Sequence, residues 1–159
     1  MAQTLYTFGY EGLQIETFIA RLGANRVQAV FDVRAMPLSR KRGFSKRSLA
    51  DALHRAGIVY AHVPALGCPK AIRDRYKADH DWAAYSEAFH GYLNTQPGAI
   101  RELARLASKG ECCLVCFEAD FNHCHRTYVG RATARVGGLR LMHITGRTVI
   151  PDLAAQEAA

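Results

Sequence analysis

Residues 112–117 read CCLVCF, six consecutive positions without a polar side chain for either face of a strand to turn toward water. A strand open to solvent on one side alternates apolar with polar residues, whereas one covered on both sides reads as a continuous apolar run. The stretch therefore predicts a central strand of a parallel sheet with helices packed on both faces. Parallel strands are joined by crossovers, so helical segments are required between them. LYTFGY at 5–10 has strand character, and Ile15, Phe18, Ile19 and Leu22 follow at helical spacing with Gly23 as the stop. VQAVFDV at 27–33 and IVYAHV at 58–63 read as two further strands. Between them Ser45 is placed to cap a helix, Phe44 and Leu49 to form a hydrophobic staple, and Leu49, Ala52, Leu53 and Ala56 to form its buried stripe before Gly57. Residues 64–81, PALGCPKAIRDRYKADHD, read as a long loop. Trp82, Tyr85, Phe89 and Leu93 resume a helical face, and a helix from Pro97 buries Ile100, Leu103 and Leu106 or Ala107 before Gly110. A last helix is predicted from about 123 to 136 with Gly137 as its stop, and LRLMHI makes the fifth strand.

The expected fold is thus α/β: a single domain over 1–151, a mostly parallel five-stranded sheet with helices on both faces, and a frayed tail at 152–159. A chain of 159 residues suits one domain with a real core. No run reaches the roughly 18 apolar residues of a membrane helix, and the N-terminus has no basic start followed by an apolar stretch. A cytoplasmic protein without a membrane partner is expected. Five cysteines, four of them crowded at Cys112, Cys113, Cys116 and Cys124, resemble no disulfide framework and read as reduced thiols.

A formal charge of +7 points toward an anionic partner, though basic balance also serves solubility. Between Val33 and Ala50 stand Arg34, Arg40, Lys41, Arg42, Lys46 and Arg47 with no acid among them. A second acid-free run after Asp120 carries Arg126, Arg131, Arg135, Arg140 and Arg147. The alternative is that both runs are ordinary solvated faces.

In open α/β sheets ligands bind beyond the carboxyl ends of the strands. Gly9–Gly12, Asp32–Arg42, Pro64–Pro69 and Glu118–Arg126 all follow strands, so one rim collects them. The richest segment is CFEADFNHCHR at 116–126. Cys113 and Cys116 point to opposite faces of a strand, and Cys112 and Cys116 lie roughly 13 Å apart at strand rise, so neither pair chelates a metal. A set from Cys116, His123, Cys124 and His125 is geometrically open, but neighbouring residues on a helix diverge; no metal and no cofactor are expected. An anion suits the start of the last helix, where unpaired N–H groups and Arg126 converge. Glu118 or Asp120 could instead pair with Arg126 as a brace. Cys124, beside His125 and Arg126, sits where a thiol pKa falls and nucleophilic chemistry becomes possible. His125 is a candidate proton carrier, or a brace.

FGYEG near the start, FDVRAMPLSR, GIVYAHVPALG and CFEADFNHCHR, in that order, resemble the domain-of-unknown-function family numbered 488 over almost the whole chain. The resemblance implies a compact α/β domain and no established reaction. It directs attention to Gly9, Tyr10, Asp32, Arg34, Pro37, Ser39, Phe44, Tyr60, Leu66, Gly67, Cys116, Glu118, Cys124, His125 and Arg126. The family's usual double glycine after leucine appears here as Leu66, Gly67, Cys68. A weaker similarity is to rhodanese-like domains, which also place a DVR-type motif early and a cysteine after a later strand. In those domains the cysteine opens a short anion-wrapping loop, whereas nine residues separate Cys116 from Arg126 here.

Three functions are consistent with these residues. The first is an enzyme, or a ligand-binding relative of one, holding an anionic phosphate- or carboxylate-bearing molecule: Tyr10, Arg34, Ser39, Arg40 and Arg126 bind it, Asp32 and Glu118 orient the arginines or carry a proton, and Cys124 or His125 supplies chemistry. Rhodanese-like thiol chemistry is a variant of it. The second is a nucleic-acid-binding module using 34–47 and 126–140, although aromatic residues among these basic ones are few. The third is a polar rim that only braces loops.

Overall fold

The all-apolar stretch forms strand β4, Cys112–Cys116, buried along its whole length. It has a parallel partner on each side, β1 (Thr4–Gly9) and β2 (Ala29–Asp32). In the computed structural model, which describes residues 3–154, β3 (Val59–His62) continues the sheet beyond β2 and β5 (Arg140–Ile144) beyond β1. These are the five expected strands, all mutually parallel. A sixth, β6 (Val149–Pro151), pairs antiparallel with β5 and gives the order β3-β2-β4-β1-β5-β6. Three residues ending in proline at a sheet edge carry too little alternation to be read as a strand.

Alternation along β4 separates two cores. Cys112 and Leu114 join Leu5, Phe31 and Leu141 on one face, where α4 (Trp82–Leu93), α5 (Pro97–Ala107) and α6 (His125–Gly137) contribute Phe89, Leu103 and Val129. Cys113 and Val115 join Phe8 and Val30 on the other, where α1 (Ile15–Ala24) and α2 (Lys46–Arg55) contribute Phe18, Leu22, Leu49 and Leu53. Both faces are therefore covered, as the sequence of β4 requires.

Several local expectations are corrected. The segment read as a long loop contains a helix, α3 (Lys70–Asp79), with no fully buried residue. Only Ile72 and Tyr76 turn partly toward the core, and the ion pairs Lys70–Asp74 and Arg75–Asp79 occupy the solvated side at helical spacing. α1 runs through Gly23 to Ala24. Ser45 precedes α2 in extended conformation but does not cap it; its hydroxyl accepts from Ser39 N at 3.1 Å and donates to Ser39 O at 2.9 Å, which pins the basic loop to itself. Asp152, expected in a frayed tail, is buried and accepts from His143 Nε2 at 2.6 Å and Arg131 Nε at 3.1 Å. The rest of that tail, 155–159, lies outside the described residues. Among the described residues no helix is long and apolar enough to cross a membrane.

At the carboxyl edge the chain leaving β4 folds back over β1. Tyr10 N and Glu11 N donate to Cys116 O and Phe117 O at 3.2 and 2.8 Å, and the next carbonyl, Glu118 O, lies only 1.7 Å from where a Cβ on Gly9 would stand. Backbone on both sides leaves nothing to yield. Replacing Gly9 by alanine is expected to lower stability by about 3 kcal/mol, whereas Gly23→Ala, on an exposed helical turn with open space around it, should raise it by about 0.5 kcal/mol. Urea unfolding of the two variants measures both, and equal effects would contradict this close approach.

Candidate functional site

Loops following β1, β2, β3 and β4 converge at that edge around a cavity of about 610 Å³. Tyr10 and Glu11 come from the first, Arg34 to Ser39 from the second, Cys68 from the third and Cys116 to Glu118 from the fourth. α3 adds Arg73, Tyr76 and Lys77, and α4 adds Trp82 and Tyr85.

One wall is a buried charge network. Asp32 Oδ1 accepts from Arg34 Nε at 2.9 Å and from Arg34 N at 3.1 Å, and its Oδ2 accepts from Arg34 Nη2 at 2.7 Å and Tyr60 Oη at 2.6 Å. Arg34 Nη1 donates to Phe44 O at 2.6 Å and Tyr10 Oη at 3.1 Å. Asp32 is fully buried and Arg34 only 5% exposed, so the pair is satisfied inside the protein. Burial by itself would weaken the Arg34 charge, but the bond to Asp32 outweighs it and raises the guanidinium pKa. Burial, then the Asp32 contact, also raises Tyr60, which stays a neutral donor. Tyr10 stacks on Phe44 with ring centroids 4.2 Å apart, tying the basic loop to the end of β1.

The floor holds the chemistry. Cys116 ends β4 on the face that α6 covers, Cys124 precedes α6 and His125 is its first residue. All three are buried, and Cys116 Sγ, Cys124 Sγ and a ring nitrogen of His125 lie within 4.8 Å of one another. His125 Nδ1 is 3.8 Å from Cys116 Sγ and 4.0 Å from Cys124 Sγ, while its Nε2 donates to Val33 O at 2.7 Å. A carbonyl only accepts, so that bond fixes a proton on Nε2 and turns Nδ1 toward the sulfurs. Glu118 Oε2 lies 3.4 Å from Cys116 Sγ and 3.2 Å from Cys124 Sγ.

These four groups share a charge. Burial, reinforced by the neighbouring Cys124, raises Glu118 to about 7. The bond with Cys124, then burial, pushes Cys116 far up. Burial would also raise Cys124, but the Cys116 contact and the positive charge of Arg126 and His125 overcome it and hold this thiol well below its ordinary value. Burial opposes the charged form of His125, yet Cys124 beside it raises the imidazole on balance. The shifts thus favour the charged form at Cys124 and disfavour it at Cys116 and Glu118.

The candidate residues separate into distinct roles. Tyr10, Arg34, Ser39, Cys116, Glu118 and His125 line the cavity and Cys124 adjoins Cys116, whereas Arg40 is exposed and is not among the lining residues. Asp32 and Arg34 brace each other. Arg126 is fully buried; its Nη1 donates to the carbonyl of Glu118 at 2.5 Å, not to a carboxylate, while its Nε and Nη2 have no hydrogen-bond partner among the described residues. His123 lines the cavity but is bonded to Asp120 Oδ2 at 2.9 Å, and the fourth polar group beside Cys116, Cys124 and His125 is Glu118. Cys124 and His125 converge although adjacent, because Cys124 is extended, with φ −145° and ψ 136°, rather than helical. In the second basic run Arg131 is bound by Asp152, and Arg140 opens β5, three strands from β2, which leads into loop 34–47. Arg73, Tyr76 and Lys77 were missed with α3; their spacing of three and four residues was the available signal.

A family model described as Domain of unknown function DUF488 matches residues 14–133. No curated protein and no solved structure matches the chain.

The buried pair gives a direct test of bracing. Arg34→Ala leaves the Asp32 carboxylate without its charge partner and is expected to cost about 3–5 kcal/mol, while Tyr60→Phe removes one neutral donor and should cost about 1 kcal/mol. Chemical denaturation compares them; a loss below about 1 kcal/mol for Arg34→Ala would remove the bracing role.

Proposed function

The chain belongs to the DUF488 domain family, and on that premise we propose that its cavity is an active site that binds a small organic anion against the cluster of Cys116, Cys124, His125 and Glu118. The observation carrying this reading is that a cavity of about 610 Å³, the size of a small-molecule site, ends on titratable side chains that are otherwise buried. Its upper wall is suited to an anion with an apolar or planar body. Tyr10, Tyr76, Trp82 and Tyr85 supply aromatic surface, and Arg73 and Lys77 supply charge without a carboxylate partner among the described residues. The acids of the wall are already committed: Glu11 Oε1 accepts from Ala119 N at 3.0 Å, and Asp120 from Asn122 N and His123. Anion recognition is thereby assigned to Arg73 and Lys77, with Arg34 and Arg126 shaping the walls. Glu118, raised to about 7, can donate or accept a proton near neutral pH.

Trp82 is the single tryptophan of the chain and lines the cavity, so its fluorescence reports occupancy. Phenyl phosphate is expected to change that emission saturably. The Arg73→Ala/Lys77→Ala double variant should bind it at least ~10-fold more weakly with little change in stability, since each charge contact contributes on the order of 1 kcal/mol. Unchanged affinity in the double variant, or no saturable signal in the wild type, would refute this assignment.

A further inference from the structure

The floor of the cavity has the geometry of a metal centre. We propose that Cys116, Cys124 and His125 bind a zinc-class transition-metal ion through two thiolates and Nδ1, with Glu118 beside a fourth position that opens to the cavity. The inference deepens the active-site reading and rests on it for the role of the ion, though not for the existence of the site.

Donor identity comes first. Thiolate and imidazole are the donors that select zinc and its neighbours over magnesium or calcium, and two thiolates with one histidine is a known ligand set of reactive zinc, in which a fourth position stays open. Spacing comes second. Bonds of about 2.3 Å to sulfur and about 2.0 Å to nitrogen place the corners of a tetrahedral face about 3.5 Å apart for sulfur to nitrogen and about 3.8 Å for sulfur to sulfur. The two sulfur–nitrogen separations here are 3.8 and 4.0 Å, within about half an ångström of that value, and the two sulfurs lie within 4.8 Å of each other. Glu118 Oε2, at 3.4 and 3.2 Å from the sulfurs, already stands at ligand-to-ligand distance from both.

Orientation is an independent observation. A ligating histidine characteristically donates its other ring N–H to a carbonyl or carboxylate, which fixes the tautomer and aims the free nitrogen. His125 does so at Val33 O, 2.7 Å away, and Val33 itself is buried. The bond satisfies a buried ring N–H and leaves Nδ1 pointing at two thiols. Charge completes the set. Two thiolates balance a divalent ion, and the buried guanidinium of Arg126 offsets one further negative charge, that of Glu118 or, with Glu118 protonated, of an anion in the fourth position. The ion would thus hold the anionic end of a ligand whose body lies between Tyr10 and Trp82.

The balance of the binding step is simple: the cation enters, the protons shared among the thiols and their neighbours leave to solvent, and no redox change occurs. The test uses the full chain, reduced and stripped of metal with a chelator, then titrated with Co²⁺. Stoichiometric binding with intense visible bands of a tetrahedral ion and thiolate-to-cobalt charge transfer is expected, and Zn²⁺ should abolish both signals by displacement. Cys116→Ser, Cys124→Ser and His125→Gln should each weaken Zn²⁺ binding about 100-fold or more. Cys112→Ala, a thiol outside the cluster, should leave it unchanged, and Glu118→Gln should retain the ion because three donors remain. Circular dichroism identifies any variant that does not fold, and the wild-type titration decides the matter without it. Absence of stoichiometric cobalt and zinc binding by the wild type would overturn the site; loss of metal in Glu118→Gln would overturn the three-donor assignment. Phenyl phosphate titration followed by Trp82 emission in both metal-loaded and metal-free protein separates the two readings: metal binding with no ligand signal in either form removes only the anion pocket, and a ligand signal with no metal binding removes only this centre.

Discussion

The candidate site depends on one close approach, the Glu118 carbonyl seated over Gly9 and held there by Arg126. No side chain fits between the end of β1 and the chain leaving β4, so the two backbones touch, and the loop can turn across the sheet edge instead of rising away from it. Arg126 reaches up from α6 to that same carbonyl. One contact therefore joins β1, β4 and α6 and sets the distance between Cys116, at the end of β4, and Cys124 and His125, at the start of α6. A guanidinium buried to satisfy a carbonyl is an expensive way to fix a loop, and the thiols beside it benefit from its charge.

The arginines of the rim illustrate how little a residue's type says about its task. Arg34 has the chemistry of an anion receptor, yet its donors are filled by Asp32, Phe44 O and Tyr10, and the result is a rigid wall joining β2 to the basic loop. Arg73 and Lys77, on a helix with no fully buried residue, also line the cavity, Arg73 with its Nε on Cys68 O at 3.0 Å. Burial explains the division. A charge removed from water is costly unless partnered, which makes Arg34 structural, while Arg73 and Lys77 keep contact with solvent; Arg126 departs from this, its Nε and Nη2 buried without partners among the described residues.

The cavity also crosses between the two faces of the sheet. Tyr10, Arg34 and Phe44 belong with the core beneath α1 and α2, and Cys116, Cys124 and His125 with the core beneath α4, α5 and α6. They meet only past the strand ends, where no strand separates them. His125 makes the junction by reaching Val33 O, at the end of β2.

The sequence alone determined the layers. CCLVCF can be satisfied only in the middle of a two-sided sheet, and helical periodicities on either side of it fixed most of the crossovers, because apolar burial is a local pattern repeated at 2.0 or 3.6 residues. It also showed which segments share the carboxyl rim. α3 escaped because a solvated helix writes almost no apolar stripe, and β6 because three edge residues write none. What tertiary structure decided was pairing: that Glu118 rather than His123 stands with the two thiols, that adjacent Cys124 and His125 converge, that Arg34 is bound by Asp32, Tyr10 and Phe44 O, and that Arg126 is buried with only Nη1 partnered among the described residues. Those outcomes turn on distances of a few ångströms between side chains far apart in the chain, and on how much water each retains, neither of which any local spacing encodes.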